Sequence, residues 1–145
     1  MDDGGLTDEG PSGALPVVVI VDVANVMGSR PDGWWKNRAG AARKLVAGMP
    51  ALVGRAVPAP DGAQVIVEQV VAVVEGAAKR IRAPAGMVVV RAPKDGDSTI
   101  VADARDYARI GAHVLVVTAD RGLREGLPDG VIVAGPDWLN ALLGR

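Results

Sequence analysis

Cysteine is absent from this 145-residue chain, and histidine occurs once, at His113. Without cysteine the chain has no disulfide, no thiolate zinc site and no cysteine nucleophile. A histidine-based catalytic triad has a single candidate. Zero cysteine also fits a reducing compartment. We therefore expect any chemistry in this protein to depend on carboxylates and a hard metal ion.

Long hydrophobic runs and targeting segments are missing as well. No stretch of 18 apolar residues occurs, so we expect no membrane span and no membrane partner. The start of the chain lacks the basic region of a signal peptide. Neither GxGxxG nor Gly-Lys-Ser/Thr is present, so dinucleotide binding and P-loop function have no support. We predict a cytoplasmic protein.

The chain has no excess of basic residues, since 16 Lys and Arg residues stand against 17 Asp and Glu residues. Taken over the whole chain, the net charge of −1 disfavours a nucleic-acid partner, but the charges are unevenly distributed along the sequence. Residues 1–15 are rich in glycine and contain four acids and no base, and we predict a disordered acidic tail there. The remainder, 16–145, has 16 bases and 13 acids, so the expected folded domain is basic.

Apolar runs alternate with helical patterns through the rest of the chain. Five β-branched runs predict strands, and the continuous run 17–21 is typical of a strand buried on both faces. These runs are 17–21, a segment within 65–74, 87–90, 113–117 and 131–133. Helices are expected over 34–53, around 100–108 and over 137–143. The alternation predicts an α/β fold with a central, mostly parallel five-stranded sheet.

Acidic residues follow every one of the expected strands. The carboxyl ends of parallel strands share one edge of a sheet, and ligands bind at that edge. The acids are Asp22, Glu75, Asp95, Asp97, Asp120 and Asp137. Acids in one pocket repel each other unless a cation keeps them ionised, and a set of oxygen ligands favours Mg²⁺ or Mn²⁺.

Each single acid has a simpler explanation as a helix cap or a turn residue. Asp97 and Asp137 each stand at the start of an expected helix, and Asp95 lies in an Asp-Gly turn. Asp22 differs because it directly follows five apolar residues of a buried strand, where an unpaired charge is costly. We interpret the whole set as a metal site for phosphoryl chemistry.

Three short motifs follow the first, third and fourth expected strands. They are VDVANV at 21–26, GDSTIV at 96–101 and TADRGL at 118–123. In this order they resemble the motifs of the PIN-like, NYN-domain ribonucleases, in particular the YacP-like group. The resemblance extends from about Val17 to Leu143. It implies a PIN-like, three-layer α/β/α sandwich over 16–145 and a metal-dependent endoribonuclease.

The same resemblance assigns the site. It implies that Asp22, Asp97 and Asp120 bind Mg²⁺ or Mn²⁺ and that Asn25 supports them. These four residues are the predicted catalytic residues.

The central motif departs from the family pattern at Ser98, where relatives often have a second acid. The nearest acid in the following helix is Asp103. Glu75 matches an acid that follows the second strand in some relatives. A second metal ion would therefore require Asp103 or Glu75 as a ligand.

The segment 28–38 after the first strand combines two tryptophans with three bases. Aromatic stacking together with phosphate contacts is how single-stranded RNA is bound. We predict that Trp34 is exposed for stacking and that Trp35 packs in the core. The predicted RNA-binding residues are Arg30, Trp34, Lys36, Arg38 and Arg121.

Two other functions remain open from the sequence. Glu75-Gly76 followed by Asp95-Gly96-Asp97 resembles the signatures of Toprim-type, Mg²⁺-dependent nucleic-acid enzymes, although this interpretation leaves the 21–26 motif unexplained. Ser98 in place of an acid favours a non-catalytic PIN-like module that binds RNA or protein. A homodimer or a protein partner also remains open.

Overall fold

A computed structural model describes residues 13–145, so residues 1–12 of the predicted tail over 1–15 lie outside the described residues. The described chain forms six strands. They are β1 (Leu15–Asp22), β2 (Ala56–Pro58), β3 (Gln64–Val74), β4 (Val88–Arg91), β5 (Val114–Val117) and β6 (Ile132–Ala134). All five predicted strands are present within one or two residues of their expected positions. β1 begins at Leu15, the last residue of the predicted tail.

Residues 13–145 also contain five α-helices and three 3₁₀ turns of three or more residues. The helices are α1 (Val23–Gly28), α2 (Arg38–Ala47), α3 (Gly96–Arg109), α4 (Arg121–Glu125) and α5 (Pro136–Leu143). The 3₁₀ turns are Trp34–Lys36, Met49–Leu52 and Gly76–Arg80. The helix expected over 34–53 is therefore interrupted at both ends. The Asn37 side chain caps α2 by accepting a hydrogen bond from the Gly40 N–H at 2.9 Å, so the helix begins only at Arg38.

The sheet has the order β2-β3-β1-β5-β6, and β4 lies beside the carboxyl-terminal end of β3. β1 is parallel to both β3 and β5, β3 is parallel to β4, and β5 is parallel to β6. The predicted parallel sheet is thus confirmed. The sequence did not predict β2, which adds an antiparallel strand at one edge. A three-residue strand has too little pattern of its own and is defined by its pairing with β3.

Helices cover both faces of the sheet. Because side chains alternate along a strand, Val17, Val19 and Val21 of β1 enter one core cluster, which is closed by α1, α2 and α5. Val18 and Ile20 enter a second cluster, which is closed by α3 and α4. This arrangement is the expected three-layer α/β/α sandwich, and it is consistent with a PIN-like fold.

Among residues 13–145, no helix combines the length and the apolar character needed to cross a membrane. The cytoplasmic location stays a prediction.

Candidate active site

Asp22 is the last residue of β1 and the N-cap of α1, and its side chain is buried. Its Oδ1 accepts a hydrogen bond from the Asn25 N–H at 3.2 Å, and its Oδ2 accepts one from the Thr118 hydroxyl at 3.0 Å. Burial, together with smaller contributions from the charges of Asp97 and Glu75, raises the pKa of Asp22 to about 6 despite these two hydrogen bonds. Asp22 is therefore both a helix cap and a member of an acidic site.

Asn25 connects the first motif to the third. Its side-chain carbonyl accepts a hydrogen bond from the Ala119 N–H at 2.8 Å, across 94 positions of sequence. The amide oxygen thereby holds the loop after β5 against the start of α1. Because the Asn25 side-chain oxygen is used in this hydrogen bond, the side-chain NH₂ group is the part of Asn25 that remains available to a ligand.

Thr118 connects two of the predicted metal ligands. Its hydroxyl donates to Asp22 and accepts a hydrogen bond from the Asp120 N–H at 3.1 Å. Asp120 in turn caps α4, because its Oδ1 accepts a hydrogen bond from the Leu123 N–H at 2.9 Å. This role of Thr118 was missed from the sequence, although its position two residues before Asp120 is the signal that could have indicated it.

Glu75 connects the end of β3 to the start of α3. Its Oε2 accepts a hydrogen bond from the Gly96 N–H at 2.8 Å. A Cβ atom at position 96 would collide with this carboxylate oxygen, so the contact requires glycine. The role of Gly96 was also missed from the sequence, since it depends on a residue 21 positions away.

Asp95, not Asp97, caps α3. The Asp95 Oδ1 accepts a hydrogen bond from the Ser98 N–H at 2.8 Å, and this bond, with a further one from the Ser98 side chain, lowers the pKa of Asp95. Asp97 lies in the first turn of α3 and is exposed. Partial burial raises its pKa, and so do the charges of Asp120, Asp95 and Glu75.

Asp22, Glu75, Asp97 and Asp120 together form what we call the acidic cluster. The charge of Asp97 raises the pKa of Asp22, and the charges of Asp120 and Glu75 raise the pKa of Asp97, so Asp97 interacts electrostatically with each of the other three residues. No salt bridge between described residues involves any of the four. The atoms that these four side chains offer to a metal ion are all carboxylate oxygens, which hard divalent cations prefer. In the same part of the chain, no three His, Asp or Glu side chains form a ready-made metal-binding group.

Asp103 lies away from the acidic cluster. It faces a separate cavity with Val90, Tyr107 and Ile110, and its pKa is raised by burial and by Asp106. Six residues of α-helix separate Asp103 from Asp97, which places it about 9 Å further along α3 and about 120° around its axis. Of the two candidates for a second metal ligand, the structure brings only Glu75 to the cluster.

The two tryptophans have the opposite exposure from the one predicted. Trp35 is 51% exposed, whereas Trp34 is half-buried against the core cluster that contains α1 and α2. Gly33, at φ 88°, turns the chain into the 3₁₀ turn, and the Trp34 ring then lies beside Gly28, which has no side chain to obstruct it. The Arg38 guanidinium lies 5.4 Å from the centre of the Trp34 ring.

The predicted RNA-binding bases lie around this turn and at α4. Lys36, Arg38 and Arg121 are exposed, and Arg30 is half-buried. Arg121 is the first residue of α4, directly after Asp120. Arg121 forms no salt bridge with another residue of 13–145.

The three-layer sandwich, with carboxylates after its central strands, is consistent with a PIN-like fold. The same fold occurs in the crystal structure of Rae1 (YacP) from Bacillus subtilis, with a TM-score of 0.64 and 16% sequence identity over 88% of this chain and 73% of that one. A point mutant of Rae1 gives a TM-score of 0.61 at 16% identity, over 88% and 75% of the two chains. At this identity the likeness is one of fold. No family model matches the sequence, and no curated protein matches it.

Proposed function

We propose that this protein is a metal-dependent endoribonuclease that hydrolyses RNA phosphodiester bonds at the acidic cluster. The observation that carries the proposal is the buried Asp22 carboxylate, which lies among other carboxylates and pairs with no described base. Such an arrangement costs stability and is typical of functional sites. The fold shared with Rae1 (YacP) supports the same conclusion.

The residues that would hold Mg²⁺ or Mn²⁺ are Asp22, Asp97 and Asp120, with Glu75 as a further oxygen donor. When bound, such an ion activates water and neutralises the charge that develops on a phosphate. Asp97 is suited to this role because its carboxylate accepts no hydrogen bond from another residue of 13–145.

The chain itself contributes orientation and substrate binding. Thr118 and Asn25 hold Asp22 and the loop before Asp120 in fixed positions, so the carboxylates are ordered before substrate arrives. Arg121, exposed beside Asp120, supplies positive charge to a phosphate. The RNA strand would continue over Lys36 and Arg38, and the exposed Trp35 ring offers a surface on which a base can stack.

The test is cleavage of a fluorescently labelled single-stranded RNA with Mg²⁺, Mn²⁺ or a chelator. We expect cleavage with either metal, none with the chelator, and a loss of at least about 100-fold in Asp22→Asn and Asp97→Asn. Asp129→Asn is the matched control, because Asp129 is exposed in a turn and no role is assigned to it. Wild-type protein that cuts no RNA with either metal, or Asp22→Asn protein that cuts as fast as wild type, would overturn the proposal.

The non-catalytic RNA- or protein-binding module remains the second candidate. Ser98 is exposed in the first turn of α3, where relatives often have an acid, and the acidic cluster is not a ready-made metal site. RNA binding in chelator by a protein that never cleaves would establish this alternative. The Toprim-type interpretation is weaker, because it gives no role to Asp22, which is buried at the end of β1 in the motif at 21–26.

A further inference from the structure

A cavity of about 500 Å³ lies beside α2, and no residue of the acidic cluster lines it. Its walls come from the end of α1, the turn at 32–34, one side of α2 and Arg145. We call it the α2 cavity. Its volume lies in the range of small-molecule sites and is large enough for a nucleotide.

The lining of the α2 cavity is apolar on one side and cationic on another. Met27, Trp34 and Ala41 provide the apolar surface. Arg43 and Lys44 provide positive charge, and neither forms a salt bridge within residues 13–145. A nucleotide has the same two parts, since its base is flat and apolar on its faces and its phosphate is anionic.

The single acid in the lining is already paired. An Asp32 Oδ2 lies 3.5 Å from the Arg145 Nη2, so the two side chains offset each other's charge. The positive charges of Arg43 and Lys44 therefore dominate the cavity. A net positive cavity attracts an anionic ligand and repels a cationic one.

The α2 cavity and the acidic cluster lie at opposite ends of one short helix. Asp22 caps the start of α1, and Met27, near its end, lines the cavity. Six residues of α-helix span about 9 Å. An RNA strand that reaches Asp22 therefore comes within a short distance of the cavity.

We propose that the α2 cavity binds one nucleotide of single-stranded RNA, next to the nucleotides held at the acidic cluster. The phosphate lies against Arg43 and Lys44, and the base lies against Trp34 and Ala41. This assignment rests on the proposed function for its substrate class, but the binding itself requires no metal ion.

The test measures binding of a fluorescent oligoribonucleotide to the full chain in chelator, where no cleavage takes place. We expect Arg43→Ala/Lys44→Ala to bind about 10-fold more weakly, with a shallower dependence of affinity on salt. Arg55→Ala/Arg109→Ala removes the same charge from exposed positions outside the cavity and should bind within about twofold of wild type. Ala47→Phe narrows the cavity without changing its charge, and it should also weaken binding severalfold.

Three results would overturn the inference. The first is equal binding by the cavity double variant and its control. The second is unchanged binding by Ala47→Phe, which would assign the effect to the charged face of α2 rather than to the cavity. The third is tighter binding of a free mononucleotide than of the oligomer. Cleavage assays with metal distinguish failure of this inference from failure of the proposed function. If the α2 cavity binds no nucleotide, metal-dependent cleavage remains intact, and if the protein cleaves no RNA, binding at the α2 cavity in chelator remains intact.

Discussion

Asp22 combines two roles that the sequence analysis treated as alternatives. It caps α1, and it is the only charged residue in the buried core of residues 13–145. Thr118 makes this arrangement tolerable, because its hydroxyl is the one side-chain donor to the Asp22 carboxylate. The remaining cost is visible in the pKa of Asp22, which is raised to about 6.

This raised pKa predicts how stability depends on pH. The folded protein holds the Asp22 proton up to about pH 6, whereas the unfolded chain releases it near 3.8. Unfolding therefore releases a proton between these values, so the contribution of Asp22 to stability falls as pH rises through this window. We expect Asp22→Asn to be more stable than wild type by up to about 3 kcal/mol at pH 7 and by much less at pH 4.

Urea denaturation of both proteins at pH 4 and pH 7 measures this difference. Asp129→Asn controls for the loss of an exposed charge. An Asp22→Asn variant that is less stable than wild type at pH 7 would show that the carboxylate stabilises the fold.

Short elements position the acidic cluster. α1 and α4 have six and five residues, too few for a helical pattern to emerge from the sequence, and each is capped by a carboxylate of the cluster. Asp22 and Asp120 are therefore both helix caps and members of the acidic cluster. α3 is capped by Asp95, which leaves Asp97 in the first turn with its carboxylate exposed. The start of α3 is also attached to β3 through Gly96 and Glu75.

Gly96→Ala tests this attachment. The new methyl group would displace the Glu75 carboxylate, which is the end of a flexible side chain, and alanine is the better helix former. We expect a change in the free energy of unfolding below about 1 kcal/mol, together with a severalfold loss of kcat/KM. Gly135→Ala is the matched control, since nothing lies within 4 Å of a Cβ atom there. Full activity in Gly96→Ala would exclude Glu75 from the site.

At the scale of the whole molecule, strand order decides which acids meet. β1 lies between β3 and β5, so Asp22 lies between Glu75 and Asp120 at the carboxyl edge. All four carboxylates of the acidic cluster lie at this edge, whereas Arg43 and Lys44 lie on α2. The near-neutral total charge is therefore the sum of an acidic edge and bases elsewhere, and it does not exclude a nucleic-acid partner.

Mn²⁺ should stabilise the whole fold through the acidic cluster. A ligand present at 100 times its dissociation constant adds about 2.7 kcal/mol, which raises the Tm of a chain of this size by about 5–10 °C. Asp97→Asn should lose most of this shift, and Asp129→Asn should keep it. The shift should shrink at pH 5, because protons then compete for Asp22. Equal shifts in wild type and Asp97→Asn would place metal binding elsewhere.

The sequence by itself determined the strand positions, the parallel α/β arrangement and the presence of Asp22 and Asp120 at strand ends. These features follow from local apolar patterns and from the common direction of parallel strands. Only the tertiary structure decided that Thr118 bonds to Asp22, that Glu75 bonds to Gly96 and that Trp35 is the exposed tryptophan. It also separated Asp103 from the cluster. The physical reason is that these hydrogen bonds, the exposure of each tryptophan and the position of Asp103 depend on contacts between segments distant in sequence. A local sequence pattern contains no information about such contacts.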